Sequence, residues 1–105
     1  MEGLVKGDIV IVLFPFSDIQ NAKRRPAAVI ANQKSEDILL AQITSKPYTQ
    51  PCHQLPELPE LKHTSYVRYN KLFSAHQTII SKKITTIPTK HMSKITEKLI
   101  QLLRE

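Results

Sequence analysis

Two short stretches bring together side chains suited to one task. Residues 23–30 read KRRPAAVI, so Lys23, Arg24 and Arg25 run into Pro26 at the mouth of an apolar strand. Residues 37–46 read DILLAQITSK, which leaves Gln42, Thr44, Ser45 and Lys46 where a second apolar strand ends. The NQKSE turn between them is short, so the strands read as antiparallel neighbours, with the start of one beside the end of the other. Arg25 then faces Thr44 and Ser45 across the end of a sheet. A guanidinium fork, two hydroxyls and an ammonium make a phosphate-binding set. Taken singly, each part has an ordinary reading: Thr-Ser is common turn composition, and an arginine at a strand end is usually solvated.

These residues need elements to hold them. DIVIVLF (8–14) is rich in β-branched residues and apolar on both faces, as a buried strand is. PFSDIQNAKR (15–24) carries turn chemistry and reads as a loop holding Ser17 and Asp18. PAAVIA (26–31) and DILLAQIT (37–44) are the next strands, with Pro26 tolerable at a strand's first position. Pro47, Pro51, Pro56 and Pro59 forbid a regular helix or central strand between residues 47 and 59, so a long connection is expected there. SYVRYN (65–70) alternates as a strand does, TIISKKITTI (78–87) reads as a further strand, and LFSAH (72–76) as a turn or a single helical turn. In the C-terminal segment Met92, Ile95, Leu99 and Leu102 form one apolar stripe, with Thr89 the expected N-cap after Pro88. Lys90, Lys94, Lys98 and Arg104 lie largely outside that stripe. The expected fold is mainly β with a C-terminal helix, a small and strongly curved β-barrel. Residues 1–105 read as a single domain.

Composition narrows the function classes. The 105 residues suit one core, and 41% hydrophobic content is enough to build it without covalent staples. Cys52 is the single cysteine, so an internal disulfide and a cysteine-rich zinc site are excluded. The N-terminal apolar run is too short to span a membrane and lacks the layout of a secretory signal, so a soluble cytoplasmic protein is expected. Net charge is +6 and uneven: residues 1–60 hold six Lys/Arg and seven Asp/Glu, whereas residues 61–105 hold nine and two. A basic half of this kind suits a polyanionic partner, nucleic acid or an acidic protein segment. His53, His63, His76 and His91 are scattered without metal-ligand spacing and read as surface or partly buried histidines. Lys82 and Lys83 suit a solvated strand edge, Asp8 and Asp18 lack a carboxylate partner at catalytic spacing, and the neighbours Cys52 and His53 are poorly placed for a thiolate–imidazole pair.

KGDIVIVLFPFSD, KRRPAAVI, ILLAQITSK and TSYVRYNKLF, in this order, resemble the MazF/PemK family of toxin endoribonucleases, the toxic partners of type II toxin–antitoxin modules. The resemblance implies an SH3-like barrel that dimerises, pairs with an acidic antitoxin and binds DNA in its company. It also implies cleavage of single-stranded RNA without a metal or other cofactor. The ribose 2′-hydroxyl attacks the adjacent phosphate and leaves 2′,3′-cyclic phosphate and 5′-hydroxyl ends. By resemblance Arg25 and Thr44 are the catalytic residues, with Ser17, Asp18, Lys23, Arg24, Gln42, Ser45, Lys46, Arg68 and Asn70 as the substrate-binding set. Some members place an arginine and an aspartate two residues apart on the later strand; here that pair reads Arg68 and Asn70, and Asn70 cannot take a proton. The loop 15–24 also lacks the histidine that some members carry. Asp18, a substrate-bound water and Arg25 itself stay open as the proton acceptor. Two further functions share this barrel: a gyrase-targeting toxin, against which Arg25-Pro26 and Thr44-Ser45 speak, and a module that binds nucleic acid without cutting it, which Asn70 keeps open.

Overall fold

The computed structural model describes residues 3–14, 23–46 and 51–105. Six strands are present: β1 (Asp8–Phe14), β2 (Lys23–Ala31), β3 (Asp37–Thr44), β4 (His53–Gln54), β5 (Tyr66–His76) and β6 (Ile80–Thr86). Helix α1 (Thr89–Leu103) follows. The strands form one antiparallel sheet in the order β4-β5-β3-β2-β1-β6. This is the expected mainly β class with a C-terminal helix. The sheet is open, with β4 and β6 as its edges and no ladder joining them among the described residues.

Both faces of the central strands are buried, which is why β1 reads as apolar throughout. One face gathers Val10, Val12, Ala27, Val29, Ile38, Leu40, Ala75 and Ile80. The other gathers Ile9, Ala28, Ala41, Ile43 and Val67 under Met92 and Ile95 of α1. Each fully buried Val, Leu or Ile side chain among them contributes roughly 1.5–3 kcal/mol. Phe14 of β1 and Phe73 of β5 meet with ring centroids 5.2 Å apart. Two strands separate β1 from β5 in the sheet, so a flat sheet would hold their backbones about 14 Å apart. The contact therefore records strong curvature, the property expected of a barrel.

The strand limits differ from the sequence reading in three places. β2 starts at Lys23, because Lys23, Arg24 and Arg25 pair with Phe14, Leu13 and Val12 of β1. The three cations are thus strand residues, whereas a loop was expected up to Arg24. β5 runs on through LFSAH, where Leu72–His76 pair with Ala41–Asp37 of β3 in place of the expected turn. β6 covers residues 80–86, after a single 3-10 turn at Gln77–Ile79. At the helix start, Pro88 holds the N-cap position in extended conformation and Thr89 is the first helical residue, without a side-chain cap. The carbonyl of Pro88 accepts from the N–H groups of His91 and Met92 instead.

Ahead of β1, Gly7 adopts φ 96°, where a side chain would be strained. Its N–H donates to the Val29 carbonyl, and its own carbonyl accepts from Ile87 N–H. This turn delivers Asp8 into the interior at 0% exposure. The Asp8 carboxylate accepts from Val5 N–H and the Thr86 hydroxyl, and Lys83 pairs with it at 3.2 Å.

Candidate functional site

Along β2 side chains alternate, so Arg25 shares a face with Ala27 and Val29. On β3, Gln42 and Thr44 share a face with Ile38 and Leu40. Ala27, Val29, Ile38 and Leu40 belong to the core. Arg25, Gln42 and Thr44 therefore continue an apolar face into a polar end, set by where each strand's sequence turns from aliphatic to polar. The β2–β3 ladder reaches Ala27 and Gln42 and stops. The next residue of β2 is Pro26, which has no N–H to give.

A cavity of about 680 Å³ opens at this end, lined by Arg25, Pro26, Gln42 and Thr44. Arg24, Ser45 and Lys46 border it too, so seven positions singled out in the sequence, Arg68 included, share one cavity. Lys46 N–H donates to the Thr44 hydroxyl oxygen at 3.2 Å, a local turn that orients the hydroxyl. Arg68 comes from β5, and its Nη1 donates to Gln42 Oε1 at 3.1 Å. An irregularity in pairing places it there. Leu72 is opposite Ala41 and Arg68 opposite Gln42, so Tyr69, Asn70 and Lys71 have no partner on β3. Such a bulge bends the strand and re-aims the side chains around it.

The connection between β4 and β5 supplies another wall, with Glu60, Leu61, Lys62, His63 and Ser65. From sequence, this stretch reads as a long connection and His63 as an ordinary histidine. One signal was present: Leu55, Leu58 and Leu61 recur every third residue across the prolines. In the structure Leu55 is buried in the core beneath α1, and Leu58 and Leu61 pack against it. Of the other expected positions, Ser17 and Asp18 lie outside the described residues. Lys23 and Asn70 are not among the cavity's lining residues. The Asn70 Oδ1 is buried without a hydrogen-bond partner among the described residues.

The cavity's charge is lopsided. Arg24, Arg25, Lys46, Lys62 and Arg68 contribute five cations against the single carboxylate of Glu60 among its described lining residues. Converging cations beside hydroxyl donors stabilise an anion that gains charge during reaction. Threonine and serine hydroxyls, a guanidinium fork and a lysine are donors that suit a phosphate group.

A second polar cluster ties β4 to α1. His53, 7% exposed, lies with its Nε2 3.0 Å from His91 Nδ1, and Lys98 Nζ lies 2.9 Å from His53 Nδ1. The Lys98 ammonium can only donate, which makes Nδ1 of His53 an acceptor and places the His53 proton on Nε2, pointing at His91. Burial, with the charges of Lys98, His91 and Lys94 adding to it, lowers the His53 pKa from 6.5 to about 4.

Residues 5–103 match a family described as the PemK-like, MazF-like toxin of type II toxin–antitoxin system. No curated protein matches. Solved structures of similar fold include an endoribonuclease in complex with its cognate antitoxin from a mycobacterial species, at 15% identity and TM-score 0.79, covering 96% of this chain and 95% of that one. The MazE–MazF complex of Deinococcus radiodurans aligns at 20% identity and TM-score 0.77, over 95% and 94% of the two chains. MazF of the same organism aligns at 21% identity and TM-score 0.76, over 97% of each.

Proposed function

The chain belongs to the PemK-like, MazF-like family of type II toxins, and from that premise we propose that it is a metal-independent endoribonuclease acting on single-stranded RNA. The observation that carries the reading is the shared cavity of Arg25, Thr44, Ser45, Gln42 and Arg68. In this reading the substrate brings its own nucleophile, the ribose 2′-hydroxyl, so the protein has to position the phosphate and stabilise its charge. Arg25 neutralises the non-bridging oxygens as charge builds on phosphorus, and the Thr44 hydroxyl donates a further hydrogen bond. Arg68, held by Gln42, grips an adjacent phosphate, while Arg24, Lys46 and Ser45 guide the strand across the cavity. Lys23, on the exposed start of β2, extends that path. Ser17, Asp18 and Asn70 remain candidate substrate contacts. The products are a 2′,3′-cyclic phosphate and a 5′-hydroxyl.

The proposal takes residues 1–105 as one domain that acts in the cytoplasm as a homodimer. No helix among the described residues is long and apolar enough to cross a membrane. An acidic antitoxin is the expected inhibitor, since a chain of carboxylates meets the same cations that would hold RNA phosphates.

The test is incubation with a long RNA in excess EDTA, followed by mapping of the ends. Cuts at a recurring short sequence, bearing cyclic phosphate and 5′-hydroxyl ends, are expected. Strict dependence on added metal, or 5′-phosphate ends, would overturn the mechanism. RNA bound but left intact would favour a module that does not cut.

A further inference from the structure

Attack by a 2′-hydroxyl needs a proton acceptor, and the cations that define the cavity cannot serve. Arginine stays protonated, lysine is an ammonium at neutral pH, and threonine, serine and glutamine are poor bases. Among the described lining residues, Glu60 and His63 have side chains able to take a proton in neutral water. Imidazole is the side chain whose ordinary charge change falls between pH 5 and 8, where transfer to a general base is most effective.

We propose that His63 is the general base of this site, a deepening that rests on the endoribonuclease reading. Its backbone is anchored. The Ser65 hydroxyl donates to the His63 carbonyl at 2.9 Å, and Ser65 itself is buried, its carbonyl accepting from Leu55 N–H. Leu61 N–H donates to the Leu58 carbonyl at 2.9 Å, and these leucines pack against the core beneath α1. His63 thus stands on a wall fixed to the fold, bordering the cavity that holds Arg25 and Thr44. The charged groups lining the same cavity are Arg24 and Arg25 of β2, Lys46 beyond β3, Arg68 of β5, and Glu60 and Lys62 of its own connection. The proton leaves O2′ for the imidazole nitrogen as the O2′–phosphorus bond forms. The phosphorus–O5′ bond breaks, O5′ takes a proton from water, and the imidazolium returns its proton to the hydroxide left behind.

The experiment compares wild-type protein, His63→Ala, Glu60→Gln and Arg25→Ala on one RNA across pH 5.5–8.5, with RNA affinity measured in parallel. His63→Ala should lower the cleavage rate by about 10²-fold or more, lose the wild type's acid limb and keep its RNA affinity within about twofold. Added imidazole should restore part of the rate to His63→Ala and none to Arg25→Ala, a rescue that a structural role for His63 would not give. Glu60→Gln should stay within about threefold of wild type. Wild-type cleavage with an unchanged rate and pH profile in His63→Ala, or loss confined to Glu60→Gln, would overturn the role of His63 alone. Absence of cleavage in the wild type would overturn the endoribonuclease reading with it.

Discussion

At the scale of single residues, the cavity's chemistry rests on donors fixed by the ends of strands. Replacing Arg25 or Thr44 by alanine should each reduce cleavage by about 10²-fold or more, the size of effect seen when one transition-state donor is removed. Arg25 is exposed at the strand end, so its loss should leave the unfolding midpoint nearly unchanged. Arg25→Lys keeps the charge and loses the fork, so it should recover only part of the rate. Full activity in both alanine variants would remove these residues from the site. Asp8 has the opposite character: it is fully buried, bonded to Val5, Thr86 and Lys83, and lies outside the cavity. Asp8→Ala removes from the interior the charged acceptor of the Val5 N–H and the Thr86 hydroxyl, which should cost roughly 3 kcal/mol in urea unfolding. Lys83→Gln removes a half-exposed partner and should cost no more than about 1 kcal/mol. Equal losses in the two variants would contradict this account of Asp8.

At the scale of elements, what was legible in the sequence is what local pattern encodes. β1 and β3 have the bounds that their β-branched and aliphatic runs predict, and the 3–4 spacing of Met92, Ile95, Leu99 and Leu102 marks α1. The nearness of Arg25 to the end of β3, at one cavity, followed from one short turn. The rest depends on partners distant in the chain. The bulge at Tyr69–Lys71 breaks the alternation of β5, so LFSAH looked like a turn although Phe73 and Ala75 keep the strand period. β4 is two residues long and exists only because β5 offers it an edge. The histidines at 53 and 91 are 38 positions apart and meet only once α1 lies across the sheet. That contact carries a pH dependence. Folding holds the His53 pKa at about 4 against an ordinary 6.5, so the unfolded chain takes the proton first. The stabilisation from neutral His53 is complete above about pH 6.5 and drains away as pH falls from there towards about 4. Between pH 7.5 and 5.5 it should cost the wild type roughly 1 kcal/mol, measured by urea unfolding. His53→Asn, less stable at pH 7.5, should lose less over the same interval. Parallel losses in the two proteins would show that His53 titrates normally in the folded state.

For the whole molecule, the question is whether RNA responds to net charge or to the charges at one place. Residues 61–105 carry a large excess of cations, yet Lys90, Lys94 and Lys98 belong to α1, and no residue of that helix lines the cavity. Of that half of the chain, Lys62 and Arg68 supply the cations that do, alongside Arg24, Arg25 and Lys46 from the nearly neutral half. Binding to single strands releases counterions, and log affinity falls against log salt with a slope of about −0.7 for each phosphate neutralised. Counterion release counts cations in contact with the strand, and distant charge enters only through a field screened over about 8 Å at physiological salt. Thr44→Ala, which keeps every cation, allows the slope to be measured on uncut RNA. In that background Lys62→Gln or Arg24→Gln should make the slope shallower by about 0.7. Lys90→Gln and Lys94→Gln should leave it unchanged, although each removes the same unit of net charge. A slope that tracks net charge alone, equal for cavity and helix substitutions, would mean that RNA lies along the basic half as a whole and not across the ends of β2 and β3.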